Sequence, residues 1–147
     1  MPDLTSDPAL GLSFTVKVDG KDLGAFHSCE GLGVEIVIEQ KEEGGNAFFV
    51  HQLAGRLKYT NVKFSRYING DTQKVAAWFA SMANGVKRST AEIVAMTPDE
   101  RKIASWGLRD VLPVRWTGPS FSVGATSPAS ETLEICHQGF HEPGSPT

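Results

Sequence analysis

Apolar and polar residues alternate with a period of two along most of this chain, the pattern of strands that lay one face on a core. Leu12, Phe14, Val16 and Val18 alternate with Ser13, Thr15, Lys17 and Asp19, and Asp19-Gly20 supplies what a two-residue hairpin turn requires. A second strand runs through Leu23 and Phe26 up to a break at Cys29-Glu30-Gly31-Leu32-Gly33. Val34, Ile36 and Ile38 then alternate with Glu35, Val37 and Glu39, which predicts a strand with its aliphatic residues on the core. A Gly44-Gly45-Asn46 tip follows, where positive φ carries little steric penalty. Beyond it a glycine-marked bend at Gln52-Leu53-Ala54-Gly55-Arg56 leads into Lys58-Tyr59-Thr60-Asn61-Val62, and Val62 and Phe64 alternate with Lys63 and Ser65. The stretch reads as a long projecting hairpin. An isolated two-stranded ribbon is marginal in water, so such an arm is expected to reach a neighbour, with Gly44, Gly45, Asn46, Phe48 and Phe49 as its contact residues.

The period changes once. Asn69-Gly70-Asp71 forms a turn whose aspartate is placed to cap a helix, and Val75, Trp78, Phe79 and Met82 follow at helical spacing up to a stop at Asn84-Gly85. A single amphipathic helix beside many strands is expected to cover the sheet, not a membrane. Alternation then resumes, with Ala91, Ile93 and Ala95 against Glu92, Val94 and Met96, up to a turn at Thr97-Pro98-Asp99. Ile103 to Trp116 reads as an extended, mostly buried stretch with Leu112, Val114 and Trp116 on one face, and Pro113, which has no amide donor, marks an edge or a bulge. Thr117 to Ser130 is loop-like, and Glu131 to Phe140 closes the fold with Leu133 and Ile135 inward and Thr132 and Glu134 outward. The predicted organisation is a flexible arm over 1–11, one domain over 12–140 and a loose tail over 141–147.

Composition narrows this further. The chain has 147 residues, 40% of them hydrophobic and 21% charged, which describes an ordinary globular domain able to bury about 70% of its unfolded surface. A net charge of −3 supplies no basic field for holding phosphates. Cys29 and Cys136 are too few for a disulfide framework and are read as reduced thiols. The first residues lack the basic start and apolar run of a signal peptide, and no apolar run approaches a membrane span, so synthesis and assembly in the cytoplasm without stable membrane insertion are expected.

Catalytic chemistry is not legible. The chain has no Gly-x-Ser-x-Gly elbow and no phosphate loop, and Gly31-Leu32-Gly33 lacks the third glycine of a dinucleotide fingerprint. Cys136, His137 and His141 come nearest to a metal site, but adjacent strand residues point to opposite faces. Glu35 and Glu39 read as a solvated polar face instead of an acid/base pair, and His27 and His51 as surface or structural histidines. No catalytic residue, cofactor or metal is therefore expected.

Four blocks occur in an order that resembles the tail tube proteins of contractile-tailed phages and phage-like contractile injection systems. They are the Gly-Gly tip; Leu53-Ala54-Gly55-Arg56-Leu57-Lys58-Tyr59-Thr60-Asn61-Val62; Trp106 to Asp110 with Leu112-Pro113-Val114-Arg115-Trp116-Thr117-Gly118-Pro119; and Glu131-Thr132-Leu133-Glu134-Ile135-Cys136-His137-Gln138-Gly139-Phe140. The chain departs from the family in having Ala54 where proline is usual and Tyr67-Ile68-Asn69 in place of a glycine-led turn. The resemblance implies a mainly β protein, an antiparallel sandwich or small barrel with one helix and a long projecting hairpin. Six copies would form a ring, and the rings would stack into a hollow tube inside a contractile sheath. The implied partners are further copies of the chain, a sheath protein, baseplate and tube-initiator proteins, and a cargo of DNA or effector protein in the lumen. Glu35, Glu39, Lys63, Ser65 and Glu134 are the residues expected to line that lumen. The alternatives are a type VI secretion tube protein or a baseplate-proximal tube initiator, and more remotely a small enzyme or a monomeric binding module.

Overall fold

Ten strands and one α-helix are formed by the residues that the computed structural model describes, 11–42, 44–45, 48–119, 123–124 and 128–141. Asn46 of the expected tip, the arm before Gly11 and the tail beyond His141 lie outside the described residues. In chain order the strands are β1 (Ser13–Val18), β2 (Lys21–Phe26), β3 (Ser28–Glu30), β4 (Val34–Lys41), β5 (His51–Tyr59), β6 (Val62–Tyr67), β7 (Ser89–Met96), β8 (Lys102–Thr117), β9 (Ser130–Cys136) and β10 (Phe140–His141). The helix α1 (Thr72–Ser81) lies between β6 and β7 and runs into a 3-10 turn, Met82–Asn84.

The main sheet is antiparallel and follows the order β2-β1-β7-β8-β9-β6-β3, with β10 paired to β8. Its long strand β8 belongs to both halves, pairing with β7 as far as Val111 and with β9 from Leu112 onward. Asp110, at φ 53°, stands at this corner. At the far ends β2 packs back on β6 and β1 on β3, so the sheet curls into the expected sandwich or small barrel. The hairpin turn at Asp19-Gly20 has positive φ at both residues, as a two-residue connection requires. Ser28–Glu30, which reads as a break in the sequence, adds a short edge strand against β6. Gly31 ends it at φ +92°, where a Cβ would run into the Asn61 carbonyl.

The core lies between the two halves. Val16, Phe26, Phe64, Ile93, Leu108, Leu133 and Ile135 are buried there, with the Phe26 and Phe64 rings 5.3 Å apart. Helix α1 inserts Val75 into this core and packs Trp78 and Phe79 against it, which bears out its role as a cover. Its start differs from expectation. Asp71 stands at the N-cap, yet its carboxylate makes no capping bond and instead pairs with Lys74 Nζ at 2.7 Å. Asn69 organises the turn in its place, since its Oδ1 accepts from the Asp71 amide at 2.7 Å.

Two further expectations are corrected. Val34, Ile36 and Ile38 do not lie on the core, because among the described residues β4 and β5 pair only with each other and leave these residues 53%, 51% and 47% exposed. Leu112, Val114 and Trp116 do not share a face. A bulge between Pro113 and Arg115 inserts Val114 as an unpaired residue, so Leu112 lies opposite Cys136 on the outer side while Trp116 lies opposite Leu133 on the inner side. Val114 and Ile103 are exposed, so β8 is less buried than its composition predicts.

A buried arginine on β6, paired with a glutamate on neighbouring β9, ties the halves together through its bond to β2. Arg66 Nε donates to Glu131 Oε1 at 3.0 Å, Nη1 to the Leu23 carbonyl at 2.6 Å and Nη2 to the Asp71 carbonyl at 3.0 Å. The guanidinium also stands 4.2 Å from the centre of the Phe26 ring. One side chain thus joins β6, β9, β2 and the entry to α1. Gly24 makes room for it, since a Cβ there would stand 2.8 Å from Arg66 Nη1. Removing one member of a buried pair strands the other charge. Glu131→Ala is therefore expected to lower the unfolding free energy by about 3–5 kcal/mol, read from urea denaturation, with recovery when Arg66 is also replaced by methionine.

Candidate functional site

Among the described residues, the projecting ribbon carries a row of aliphatic side chains that the rest of the fold leaves exposed. Strands β4 and β5 run antiparallel from the Val34–Tyr59 pair at the root to the Lys41–His51 pair near the tip. Eight residues at about 3.3 Å each carry the tip roughly 26 Å from the root. The pairing slips between Ile36 and Ile38, where Val37 on β4 faces two residues, Gly55 and Arg56, on β5. Glycine is required at this bulge because a Cβ on Gly55 would stand 2.7 Å from the Val37 carbonyl oxygen. The glycine-marked bend of the sequence is thus a bulge inside β5.

The register sorts the ribbon into two unlike faces. On one, Val34, Ile36 and Ile38 lie across from Tyr59, Leu57 and Ala54, an unbroken apolar patch in which Leu57 is 53% exposed. On the other, Glu35 lies across from Lys58, Glu39 from Leu53 and Lys41 from His51. Glu35 and Lys58 approach to 3.9 Å with both side chains well exposed, a contact that adds little stability. At the tip Gly45 has φ +90°, and beyond it Phe48 and Phe49 are 94% and 60% exposed. Single exposed apolar residues are ordinary, but a contiguous patch of this kind marks an interaction surface.

The root is held firmly. Tyr59 packs against His137 at 5.3 Å and Phe140 at 5.7 Å, and the last two rings are 5.1 Å apart. Thr60 Oγ1 donates to the Gly31 carbonyl at 2.6 Å, and Asn61 Nδ2 to Glu134 Oε2 at 2.8 Å. His137 is buried, and its Nδ1 accepts from the Gly139 amide at 3.2 Å. Burial lowers its pKa below the ordinary histidine value, with the backbone of Gly139 acting in the opposite sense. The residue weighed as a metal ligand is thus part of an aromatic support. Among the described residues no three His, Cys, Asp or Glu side chains gather where they would hold a metal ion.

The residues expected to line a lumen fall into two groups. Lys63, Ser65 and Glu134 share the outer face of the β3-β6-β9-β8 layer, where Lys63 Nζ stands 4.0 Å from Glu134 Oε1 and Ser65 Oγ lies 3.3 Å from Thr132 Oγ1. Across the four strands the register aligns Glu30, Lys63, Glu134 and Arg115 in one row of alternating sign, and Ser28, Ser65, Thr132 and Thr117 in a row of hydroxyls. Glu35 and Glu39 stand apart from these, on the polar face of the ribbon. Leu57 and Tyr59 were not singled out in the sequence, although their alternation with Lys58 is the signal that would have paired them with the β4 aliphatics. Among the described residues no helix is long and apolar enough to cross a membrane.

Comparison with known proteins agrees with this geometry. The T4-like virus tail tube protein gp19 family matches residues 11–141. No curated protein matches the chain in sequence. Among solved structures, a chain of the six-fold symmetrised anti-feeding prophage baseplate is 20% identical, with 92% of this chain and 95% of that one aligned at a TM-score of 0.74. A chain of the PVC sheath-tube complex, an extracellular contractile injection system in its extended state, is 18% identical over 92% and 91%, at a TM-score of 0.75. Hcp1 from Salmonella typhimurium is 18% identical over 87% and 83%, at a TM-score of 0.53. At these identities the likeness establishes the fold, that of tail tube and Hcp chains.

The histidine at the ribbon root makes stability depend on pH. Its folded pKa is depressed, so the unfolded chain binds a proton more readily, and the contribution present above about pH 6.5 is lost as pH falls through the folded value. Melting temperatures measured between pH 7.5 and 5 should fall more steeply for the native protein than for His137→Gln. Parallel profiles would remove His137 from this role.

Proposed function

The chain belongs to the T4-like virus tail tube protein family, and we propose that six copies close into a ring and that rings stack into the hollow inner tube of a contractile tail or injection particle. The observation that carries this reading is the apolar face of the ribbon, Val34, Ile36, Ile38, Ala54 and Leu57, over which the described residues of its own fold lay no second layer. Placed against a neighbouring copy, this face becomes the buried layer of a subunit interface. A head-to-tail contact of this kind closes into a ring when the rotation per subunit fits. The count of six rests on the six-fold baseplate that holds a chain of this fold.

With the apolar face covered, the polar ribbon face is left for the channel, together with the outer face of the β3-β6-β9-β8 layer. In this reading Glu35, Glu39, Lys63, Ser65 and Glu134 line the lumen. The row Glu30, Lys63, Glu134 and Arg115 carries two charges of each sign. Such a wall offers no basic field to hold an anionic polymer. DNA or an effector protein would therefore pass without sticking. The subunit works by assembly and not by catalysis, alongside a sheath protein of the kind present in the PVC complex and a baseplate of the anti-feeding prophage kind. It is made and assembled in the cytoplasm. A baseplate-proximal ring is the second reading, favoured by the origin of the first of these similar chains.

The test targets the ribbon without touching the core. Ile36→Glu combined with Leu57→Glu alters side chains that are about half exposed, so unfolding free energy should change by no more than about 0.5 kcal/mol per site. Negative-stain images of the native protein should show rings and rods, and images of the folded double variant isolated particles. Rods of normal length in the variant would remove the ribbon from the interface.

A further inference from the structure

We infer that Asn69 is a site of spontaneous deamidation through a cyclic imide, and that the fold holds the other Asn-Gly pair of the chain, Asn84-Gly85, back from the same reaction. The two pairs stand at opposite ends of α1, Asn69-Gly70 before its first residue and Asn84-Gly85 at the end of the 3-10 turn that follows it. All four residues are exposed, and open space surrounds both glycines. Access and bulk therefore do not separate the two pairs.

The nucleophile is the backbone nitrogen that follows the asparagine. Once hydroxide has taken its proton, Gly70 N adds to Asn69 Cγ, and as the new N–Cγ bond closes the ring the Cγ–Nδ2 bond breaks. Nδ2 takes a proton from water and leaves as ammonia. Water then opens the imide at one of its two carbonyls. Opening at Cγ gives aspartate, and opening at the main-chain carbonyl gives isoaspartate, in which the chain runs through the side-chain carbon.

This chemistry asks for an N–H free to lose its proton and for a donor on the oxygen that becomes negative. Asn69-Gly70 meets both demands. The Gly70 N–H makes no hydrogen bond among the described residues. Asn69 Oδ1 already accepts from the Asp71 amide at 2.7 Å, so a donor stands where the oxyanion of the addition step forms. The neighbouring Asp71 carboxylate is offset by Lys74 Nζ at 2.7 Å. Asn84-Gly85 meets neither demand, because the Gly85 N–H donates to the Met82 carbonyl at 3.2 Å and no donor among the described residues reaches the Asn84 side chain. The helix field acts in the same sense, favouring negative charge where α1 begins and opposing it where the helix ends.

The product matters because of what Asn69 holds. Its amide donates to Thr72 Oγ1 and its carbonyl accepts from the Thr72 amide, both at 3.2 Å. Isoaspartate adds a main-chain carbon at this turn, one residue before Gly70 and two before the Asp71 carbonyl that takes Arg66 Nη2 at 3.0 Å. Ageing thus loosens the entry to α1 at its link to the buried arginine.

Trypsin cuts after Arg66, Lys74 and Lys87, so the two asparagines fall in separate peptides, 67–74 and 75–87. The native protein is aged in mildly alkaline buffer and digested, mass spectrometry follows the conversion of each peptide, and a fresh sample corrects for conversion during digestion. In the folded protein 67–74 should convert at least about tenfold faster than 75–87, a modest share of what one donor aimed at an oxyanion is worth. In urea the preference should vanish. The aged 67–74 peptide should also accept a methyl group from an isoaspartate methyltransferase. Gly70→Ala, which meets nothing within 4 Å, should slow conversion of 67–74 and leave 75–87 unchanged. A folded-state preference below tenfold, or one that persists in urea, would overturn the inference.

Discussion

An antiparallel ribbon two strands wide has two faces and no second layer of its own, and this constraint governs the rest of the molecule. Every buried sheet face in the body is covered by the opposite half or by α1. The aliphatic face of β4 and β5 is not, although its composition is that of a core strand. Burying such a face releases water from apolar surface, a gain of about 25 cal/mol per Å², and the gain is available only from another molecule. The free strand edges of the ribbon add unpaired backbone groups that favour the same outcome. In the proposed assembly a neighbouring copy would supply the missing layer.

An arm that must find a partner has to be aimed, and the body supplies the aim. Tyr59 is clamped between His137 and Phe140, and the link to β6 is tied down by Thr60 and Asn61. Behind the link, Arg66 joins β2, β6, β9 and the start of α1 through one guanidinium. Burying a charge pair is a poor way to gain stability compared with a packed apolar cluster, but its directional bonds specify a single arrangement. Here that arrangement sets the direction in which β5 enters the ribbon.

Polarity is distributed to match. The ribbon is apolar on one side and charged on the other, and the outer layer of the body alternates acidic with basic residues along a single row. Charges of both signs in register on one sheet face neutralise one another locally. A wall of that kind is wetted without being adhesive. In the proposed tube the first surface would meet another copy and the second would line the channel.

Much of the architecture was legible in the sequence. The period-two runs located β1, β4, β6, β7 and β9, Asp19-Gly20 marked a turn, Gly55 marked a bend that is a bulge within β5, and Val75, Trp78 and Phe79 marked the helix that covers the core. These features are local, because alternation, turn residues and helical spacing act over a few residues. What the sequence could not settle was which apolar faces are covered. Val34, Ile36 and Ile38 have the pattern of core residues and stand open because no described residue of their own chain forms a layer over them. The Val114 bulge sends Leu112 and Trp116 to opposite sides, and a one-residue slip in pairing leaves no mark in composition. Arg66 and Glu131 are 65 residues apart, and their pairing exists only once β6 and β9 lie side by side. By itself the sequence determined most of the strands, the helix and the hairpin turn at Asp19-Gly20, whose causes are local; only the tertiary structure decided burial, register and the two faces of the ribbon, because those depend on what the rest of the chain places alongside.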